Sequence, residues 1–539
     1  MDSSPLPWYY LAAGAAVAAG LLHVVTSSRD RKRYPPGPPP YPLVGNYPHM
    51  PVGWRGSHYL EMGKKYGSIL YFTVPGRTFI VLNKYEDAVN LFEKRGNRYS
   101  DRPHLHMAHE LVGRKITILF SQYGERLKQY RRMIHTVSQT RAAPQQWPMQ
   151  TAETQNLLNR LLDTPDDFLR HLRLHSVSVT MKTVYGYTPK SHDDEYVKLS
   201  EKVALLTNMA SQPGRWLVDS FRWLEHIPEW FPGGGFKKLA RKWRTELEAF
   251  TDAPMQMTKK RLAEGTAEPC FVVGQLEDTE SISSDLREEY IKYAAAGMYS
   301  ARADEYPIRR NRFGAVLDEQ DVCAGADTDA QTVSFVSCFI LCMTMFPEVQ
   351  RKAQEELDAI LGGDRLPVVE DTPYLPYIEA VIKEVHRIHP IVNLIPHATL
   401  VDDEYKGYAI PAGAAVLANT WAFSRDEEMY PDPDKFDPER FLGKRGEGVL
   451  DPRLYTFGLG RRRCAGVPLA DSFTFLAVTS ILTVFNISKA LDENGQEITP
   501  GLKWDNASTS HPIPFKCKIR PRSEAAVALI RTRPSHPVV

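Results

Sequence analysis

The sequence predicts a mainly α protein with a small β subdomain, preceded by one N-terminal transmembrane helix, and three observations predict it. From about residue 120 to 390, apolar residues recur at three- and four-residue spacing, the period of helices packed on a core. Runs rich in β-branched and aromatic residues are confined to Ile69–Leu82 and to short pieces at 391–420 and 513–519. Trp8 to Val25 is an uncharged, Ala-rich stretch, which as a helix spans roughly 27 Å at ~1.5 Å per residue, enough for a hydrocarbon core. The 539 residues, 43% hydrophobic and 24% charged, can bury a sizeable core. A formal net charge of +1 offers no global pull toward nucleic acid, so none is expected as a partner and any electrostatic docking is local. Six cysteines (Cys270, Cys323, Cys338, Cys342, Cys464 and Cys517) show neither a short-spaced metal pattern nor a disulfide scaffold, and read as reduced thiols facing the cytosol.

Residues 1–28 read as a membrane anchor. Asp2 is the only charged side chain before the apolar run, whereas Arg29, Arg31, Lys32 and Arg33 follow it, so the positive-inside rule leaves the rest of the chain in the cytosol. A cleaved secretory signal would carry its positive charges first. Residues 29–46 read as a basic and Pro-rich hinge, because prolines at 35, 36, 38, 39, 40 and 42 fix φ and remove backbone donors, excluding helix and central strand. Residues 47–539 then form one domain. In it, ILYFTVPGRTFIVL (Ile69–Leu82) is broken by Pro75-Gly76 and reads as a hairpin, and Asp285–Ser300 reads as a capped helix. KEVHR sets Glu384 and Arg387 three residues apart, on one face of a helix that His389-Pro390 ends. There they pair and present a rigid fork to a third group, although such a pair alone is more often a solvated one.

The strongest signal is FGLGRRRCAG, residues 457–466, in which Phe457, Gly460, Arg462, Cys464 and Gly466 fall in the register F-x-x-G-x-R-x-C-x-G. A thiolate that ligates iron must be ionised, shielded and hydrogen-bonded. Gly458, Gly460 and Gly466 let backbone N–H groups approach the sulfur, Phe457 shields it, and the helix after Cys464 turns its positive end toward it. A lone cysteine is usually an inert core thiol, but five matching positions in ten residues argue against that. This loop resembles the haem-thiolate loop of the cytochrome P-450 superfamily, and the resemblance runs from the anchor to residue 519.

The resemblance implies one haem b with Cys464 as the axial iron ligand, and a structural buttress in which Glu384 and Arg387 are joined by Arg440 of Pro438-Glu439-Arg440-Phe441. It implies Arg131, His397 and Arg462 as cationic donors to the haem propionates. The early helix departs from the pattern: YGERLKQYR has Leu127 where the family has tryptophan, which implies weaker haem retention. On the distal side the implied proton relay to iron-bound dioxygen is Asp327-Thr328 of AGADTD, residues 324–329, with Gly325 leaving space beside the porphyrin. Asp329 stands where the family has Thr or Ser. Arg126, Lys128, Arg132, Lys444, Arg445, Arg461 and Arg463 are expected to gather on the cysteine side, where an acidic flavin domain would dock.

One segment does not fit. Residues 301–323 (ARADEYPIRRNRFGAVLDEQDVC) separate the 285–300 helix from AGADT, into which such a helix runs directly in the family. They are either a real surface loop or translated intron, since the flanks rejoin in frame into the expected pattern.

The expected protein is a monooxygenase that inserts one oxygen atom from O2 into a small hydrophobic substrate, a terpenoid or polyketide of fungal secondary metabolism, with electrons from NADPH through a separate NADPH-cytochrome reductase. The expected location is the endoplasmic reticulum membrane, single-pass, with the catalytic domain cytosolic. Pocket-lining residues are expected from Leu105 to Phe120, Ala324 to Thr328, Asn393 to Ile395 and Ser508 to Ser510. A haem-thiolate isomerase or dehydratase would use the same cysteine without reductase or dioxygen, and a haem-binding membrane protein without activity would bind haem and turn nothing over.

Overall fold

The computed structural model describes residues 34–51, 55–212, 214–278, 284–300, 331–505 and 507–532. The expected anchor at 1–28, the basic run at 29–33, the insert at 301–323 and the AGADTD motif with Asp327, Thr328 and Asp329 lie outside the described residues.

The proline run forms neither helix nor strand, as its locked φ dictates, yet it does not stand free. Pro35 and Pro38 are buried, and Tyr71 N donates to Pro36 O at 3.0 Å while the Tyr71 ring stacks on Tyr34 at 4.7 Å. Asn46 closes the segment, donating from Nδ2 to Pro38 O at 2.7 Å and accepting at Oδ1 from Thr73 N at 2.8 Å. The prolines thus lie along β1 (Ile69–Val74). β2 (Arg77–Leu82) pairs antiparallel with it in the register Ile69–Leu82 to Val74–Arg77, and Gly76 takes the turn at φ +73°. This is the hairpin the sequence predicts.

The other strands of this sheet come from far along the chain. β3 (Leu394–Ala398) is followed by a small hairpin, β4 (Asp403–Tyr405) and β5 (Tyr408–Ile410), and then by β6 (Ala415–Asn419). β6 runs parallel to β2 and antiparallel to β3, giving the order β1-β2-β6-β3. All five residues of β6 are buried, the continuous apolar run that a strand covered on both faces requires.

Helices supply the rest. In chain order they include α1 (Gly56–Tyr66), α2 (Glu125–Ser138), α3 (Trp147–Asp163), α4 (Phe168–Tyr185), α5 (Glu195–Ser211), α6 (Phe236–Ala263), α7 (Ser284–Ser300), α8 (Gln331–Met345), α9 (Pro347–Leu361), α10 (Pro376–Ile388) and α11 (Val467–Val484). One apolar core joins α3, α8, α9, α10 and α11, with Phe339, Met343, Leu357, Val381 and Leu482 fully buried. A second joins α2, the later half of α4, α5, α6 and α7 around Tyr130, Met181, Phe250 and Ile291. α11 is long and apolar enough to cross a membrane, but 78% of it is buried inside the protein, so it is a core helix.

A further sheet, β7 (Phe485–Leu491), β8 (Glu497–Ile498) and β9 (Cys517–Pro521), has the order β8-β7-β9. The strand expected at 513–519 is β9, shifted toward the C-terminus. β7 was not expected, because no Gly or Pro separates Val484, the last residue of α11, from Phe485, the first of the strand. Helix periodicity masks the change.

Candidate active site

The cysteine loop lies between a short helical turn at Arg453–Thr456 and the N-terminus of α11. Its shape follows from two glycines. Gly458 takes φ +82°, which side-chain-bearing residues rarely adopt, and a Cβ on Gly460 would meet Phe92 O at 2.0 Å, so only glycine lets the loop rest on the helical turn at Asn90–Lys94. Cys464 N then donates to Phe457 O at 2.8 Å, closing the loop. Gly466 is different: a Cβ there would stand 3.9 Å from Cys464 Sγ, an ordinary contact, so close approach to the sulfur does not by itself require glycine. Among the described cysteines Cys464 alone is exposed. Phe457 is half-buried and its ring lies 5.3 Å from His386, whose imidazole is pushed down to about 3 by burial and is neutral.

Beside this loop three arginines and a histidine converge. Arg462 donates from Nε to Ser100 O at 2.7 Å and from Nη2 to Ser121 O at 2.6 Å; burial, then neighbouring Arg102 and Arg131, push its guanidinium down to about 9. Arg102, hydrogen-bonded to Pro396 O and, at 3.2 Å, to Leu119 O, is pushed down to about 10 by burial. Arg131, on α2, donates to Arg463 O at 2.8 Å, and burial lowers it while the Cys464 sulfur raises it. His397, on β3, is fully buried, stacks on Phe92 at 4.0 Å and pairs Nδ1 with Tyr99 O at 2.6 Å. Burial, then Arg102, hold it well below the usual histidine range.

This arrangement carries positive charge that Asp101, which acts on both Arg102 and Arg462, offsets only in part. Arg462 Nη1 and His397 Nε2 are buried without a hydrogen-bond partner among the described residues. Leaving buried polar atoms unpaired costs about 1–3 kcal/mol each, and more for a charged group. An anion between them would supply both bonds and draw a proton onto His397. A haem, with two propionates, fits that requirement, so the donor set agrees with the cofactor the sequence implies. Burial and neighbouring Arg102 disfavour the charged form of the His397 ring, and an anion beside it would favour that form.

Sequence reasoning missed Arg102. An arginine before a proline has no local signature, and its place here comes from a contact with Pro396. Leu127, where an indole was expected, is 2% exposed.

The three residues expected as a buttress come together. Glu384 and Arg387 on α10 are 0% exposed and Arg440 is 4% exposed. Arg387 grips Glu384 through two bonds of 2.7 Å, Arg440 Nε reaches the same carboxylate at 3.3 Å, and Asp437 N donates to it at 2.8 Å. The remaining guanidinium donors go to carbonyls of Ser424, Pro431, Pro433 and Lys435, which fastens the irregular chain before the cysteine loop to α10. Of the basic residues expected on the cysteine side, Arg126 is committed to Glu289 and Arg445 to Asp437, while Lys128, Arg132, Lys444 and Arg461 are exposed.

The chain is similar to known proteins over most of its length. The family model described as Cytochrome P450 matches residues 35–518. The chain is 40% identical over 505 residues to the cytochrome P450 monooxygenase claR of Ampulloclitocybe clavipes, covering 93% of this chain and 89% of that one. It is 39% identical over 517 residues to a cytochrome P450 monooxygenase of Armillaria gallica, covering 94% and 96%. It is also similar to the cytochrome P450 monooxygenase ple1 of Rhodocybe pseudopiperita, 38% identical over 528 residues, covering 96% and 95%.

Proposed function

Because this chain belongs to the cytochrome P450 family, haem-thiolate enzymes with a cysteine as axial iron ligand, we propose that it uses Cys464 to oxygenate a small, apolar terpenoid or polyketide in fungal secondary metabolism. It is a P450 monooxygenase, acting with O2, a substrate and a redox partner. The observation that carries the site assignment is an exposed Cys464 beside a cation pocket whose Arg462 Nη1 and His397 Nε2 await an anion.

When bound, the haem supplies the activation of dioxygen. In this reading Cys464 holds the iron as a thiolate, with the positive end of α11 beginning three residues later at Val467. Arg102, Arg131, His397 and Arg462 hold the propionates, while Glu384, Arg387 and Arg440 keep the loop's approach rigid. Asp327 and Thr328, outside the described residues, are the proposed proton relay. Electrons come from NADPH through a reductase whose acidic flavin domain meets the exposed Lys128, Arg132, Lys444 and Arg461.

Residues 1–28 are the proposed anchor in the endoplasmic reticulum membrane, 29–46 the hinge and 47–539 the cytosolic catalytic domain. Exposed apolar side chains in the hinge and in the connection after α5 support the membrane reading: Leu43 at 87%, Trp230 at 82%, Leu217 at 66% and Trp223 at 64%. Tyr47 OH, just after the hinge, donates to Gly214 O in that connection at 2.7 Å. Tryptophan is enriched where protein meets lipid headgroups.

The reduced, carbon monoxide-treated holoenzyme is expected to give the red-shifted Soret band of a thiolate-ligated haem, and NADPH consumption with reductase is expected to need both dioxygen and substrate. Cys464→Ser is expected to abolish both. Survival of the thiolate band and turnover in that variant would overturn the assignment.

A further inference from the structure

The segment from Ser100 to Ser121 leaves the cofactor pocket and returns to it. Both ends rest on one guanidinium, because Arg462 donates to Ser100 O and to Ser121 O. Its inner side is apolar: Leu105, Met107, Ala108 and Phe120 are buried in the same cluster as Ile291 and Tyr299 of α7. Its tip is fastened elsewhere. Met107 N donates to Asp219 Oδ1 at 2.8 Å, and His106 Nε2 lies 2.8 Å from Glu225 Oε2. On the return path Arg244 Nη2 donates to Glu110 O at 2.5 Å, and Arg114 bonds Thr207 Oγ1. All four partners belong to α5, α6 or the connection between them.

Asp219 is the unusual member. Burial pushes its carboxyl up, and one oxygen is spent on Met107 N while Oδ2 is buried without a hydrogen-bond partner among the described residues. The Arg77 guanidinium offsets part of its charge. A half-satisfied buried carboxylate destabilises a fold, so its presence asks for a role beyond stability.

We propose that Asp219 is a positioning residue for the substrate pocket, with Glu225 as its outer companion: together they hold the tip of the 100–121 strap and set how closely its apolar wall approaches α7. The base of the strap is fixed at Arg462, so the tip clasp is the adjustable end. A tight clasp excludes bulky apolar ligands and slows their release, whereas a small ligand passes unaffected. The inference rests on reading this cleft as the substrate pocket of a haem enzyme.

The test uses the full-length holoenzyme and two haem-binding probes, imidazole and 4-phenylimidazole, with binding and release followed by the Soret shift in stopped flow. Asp219→Ala is expected to release 4-phenylimidazole roughly tenfold faster, the equivalent of one charge-assisted hydrogen bond, with imidazole rates unchanged. Asp219→Asn keeps an oxygen acceptor for Met107 N and is expected to restore the parent rates to within about twofold. Parent rates for both probes in Asp219→Ala, or equal acceleration of both, overturn the proposal. If Asp219→Ala gives no holoenzyme, Glu225→Ala decides, because that carboxylate is 41% exposed and its loss does not threaten folding: unchanged release of 4-phenylimidazole overturns the clasp. A parent enzyme without the thiolate carbonyl band would instead overturn the haem reading.

Discussion

Asp471, near the start of α11, has a carboxyl pushed up to about 6, first by burial, against the opposing pull of Arg453 and with Glu379 and Asp451 adding repulsion. An acid whose folded pKa lies above its unfolded value takes up a proton on folding, so its penalty on stability is full above pH about 6 and shrinks as pH falls from there toward the unfolded pKa. Asp471→Asn is therefore expected to raise the melting temperature above pH 6, with the gain fading toward the unfolded aspartate pKa of about 3.9. Melting curves by circular dichroism at several pH values check this, and a gain independent of pH would count against it. At this scale the sequence was most legible where a role is local. Cys464 and the Glu384–Arg387 pair stand in short local motifs whose roles the family resemblance implies, whereas Arg102 and Asp219 gain their surroundings only when distant segments meet.

Among elements, α10 depends most on its charges. Its Glu384 is shared between Arg387 and Arg440, all of them buried, and breaking a buried pair by removing one partner costs about 3–5 kcal/mol. Glu384→Ala is expected to lower both the denaturant midpoint and the haem-to-protein ratio, because the chain it fastens leads into the cysteine loop. Glu384→Gln, which keeps an acceptor, is expected to lose less. Equal haem loading in all three proteins would mean that the fork does not support the loop. Helices and the first hairpin were legible because their apolar periods are uninterrupted. β7 was not, since Phe485–Leu491 continues from α11 without a breaker, and the parallel pairing of β2 with β6 has no sequence signal because each strand is complete by itself.

For the whole molecule, the order of charges at the N-terminus raises the expectation of an anchor and an orientation, whereas the lie of the proline run along β1 has no sequence signal, because it is a matter of tertiary packing. Nor does the sequence show that Tyr47 would bond Gly214, in the connection that also carries the exposed Trp223 and Trp230. In vesicles with brominated acyl chains, the full-length protein is expected to show quenched tryptophan fluorescence that falls when Trp223 and Trp230 are both replaced by phenylalanine. Trp243, by contrast, is 3% exposed and should not respond. Quenching unaltered by the double replacement would remove this face from the lipid contact.

The pairing of Phe79–Leu82 with Ala415–Ala418 has a consequence during synthesis. A ribosome adding ~5–20 residues per second needs on the order of tens of seconds between these two strands, and longer before the pigment's thiolate ligand emerges. Until then β2 offers one unpaired edge. Nascent chains of this enzyme must therefore wait, shielded by chaperones or by their own helices, and can capture the iron cofactor only when translation is almost over.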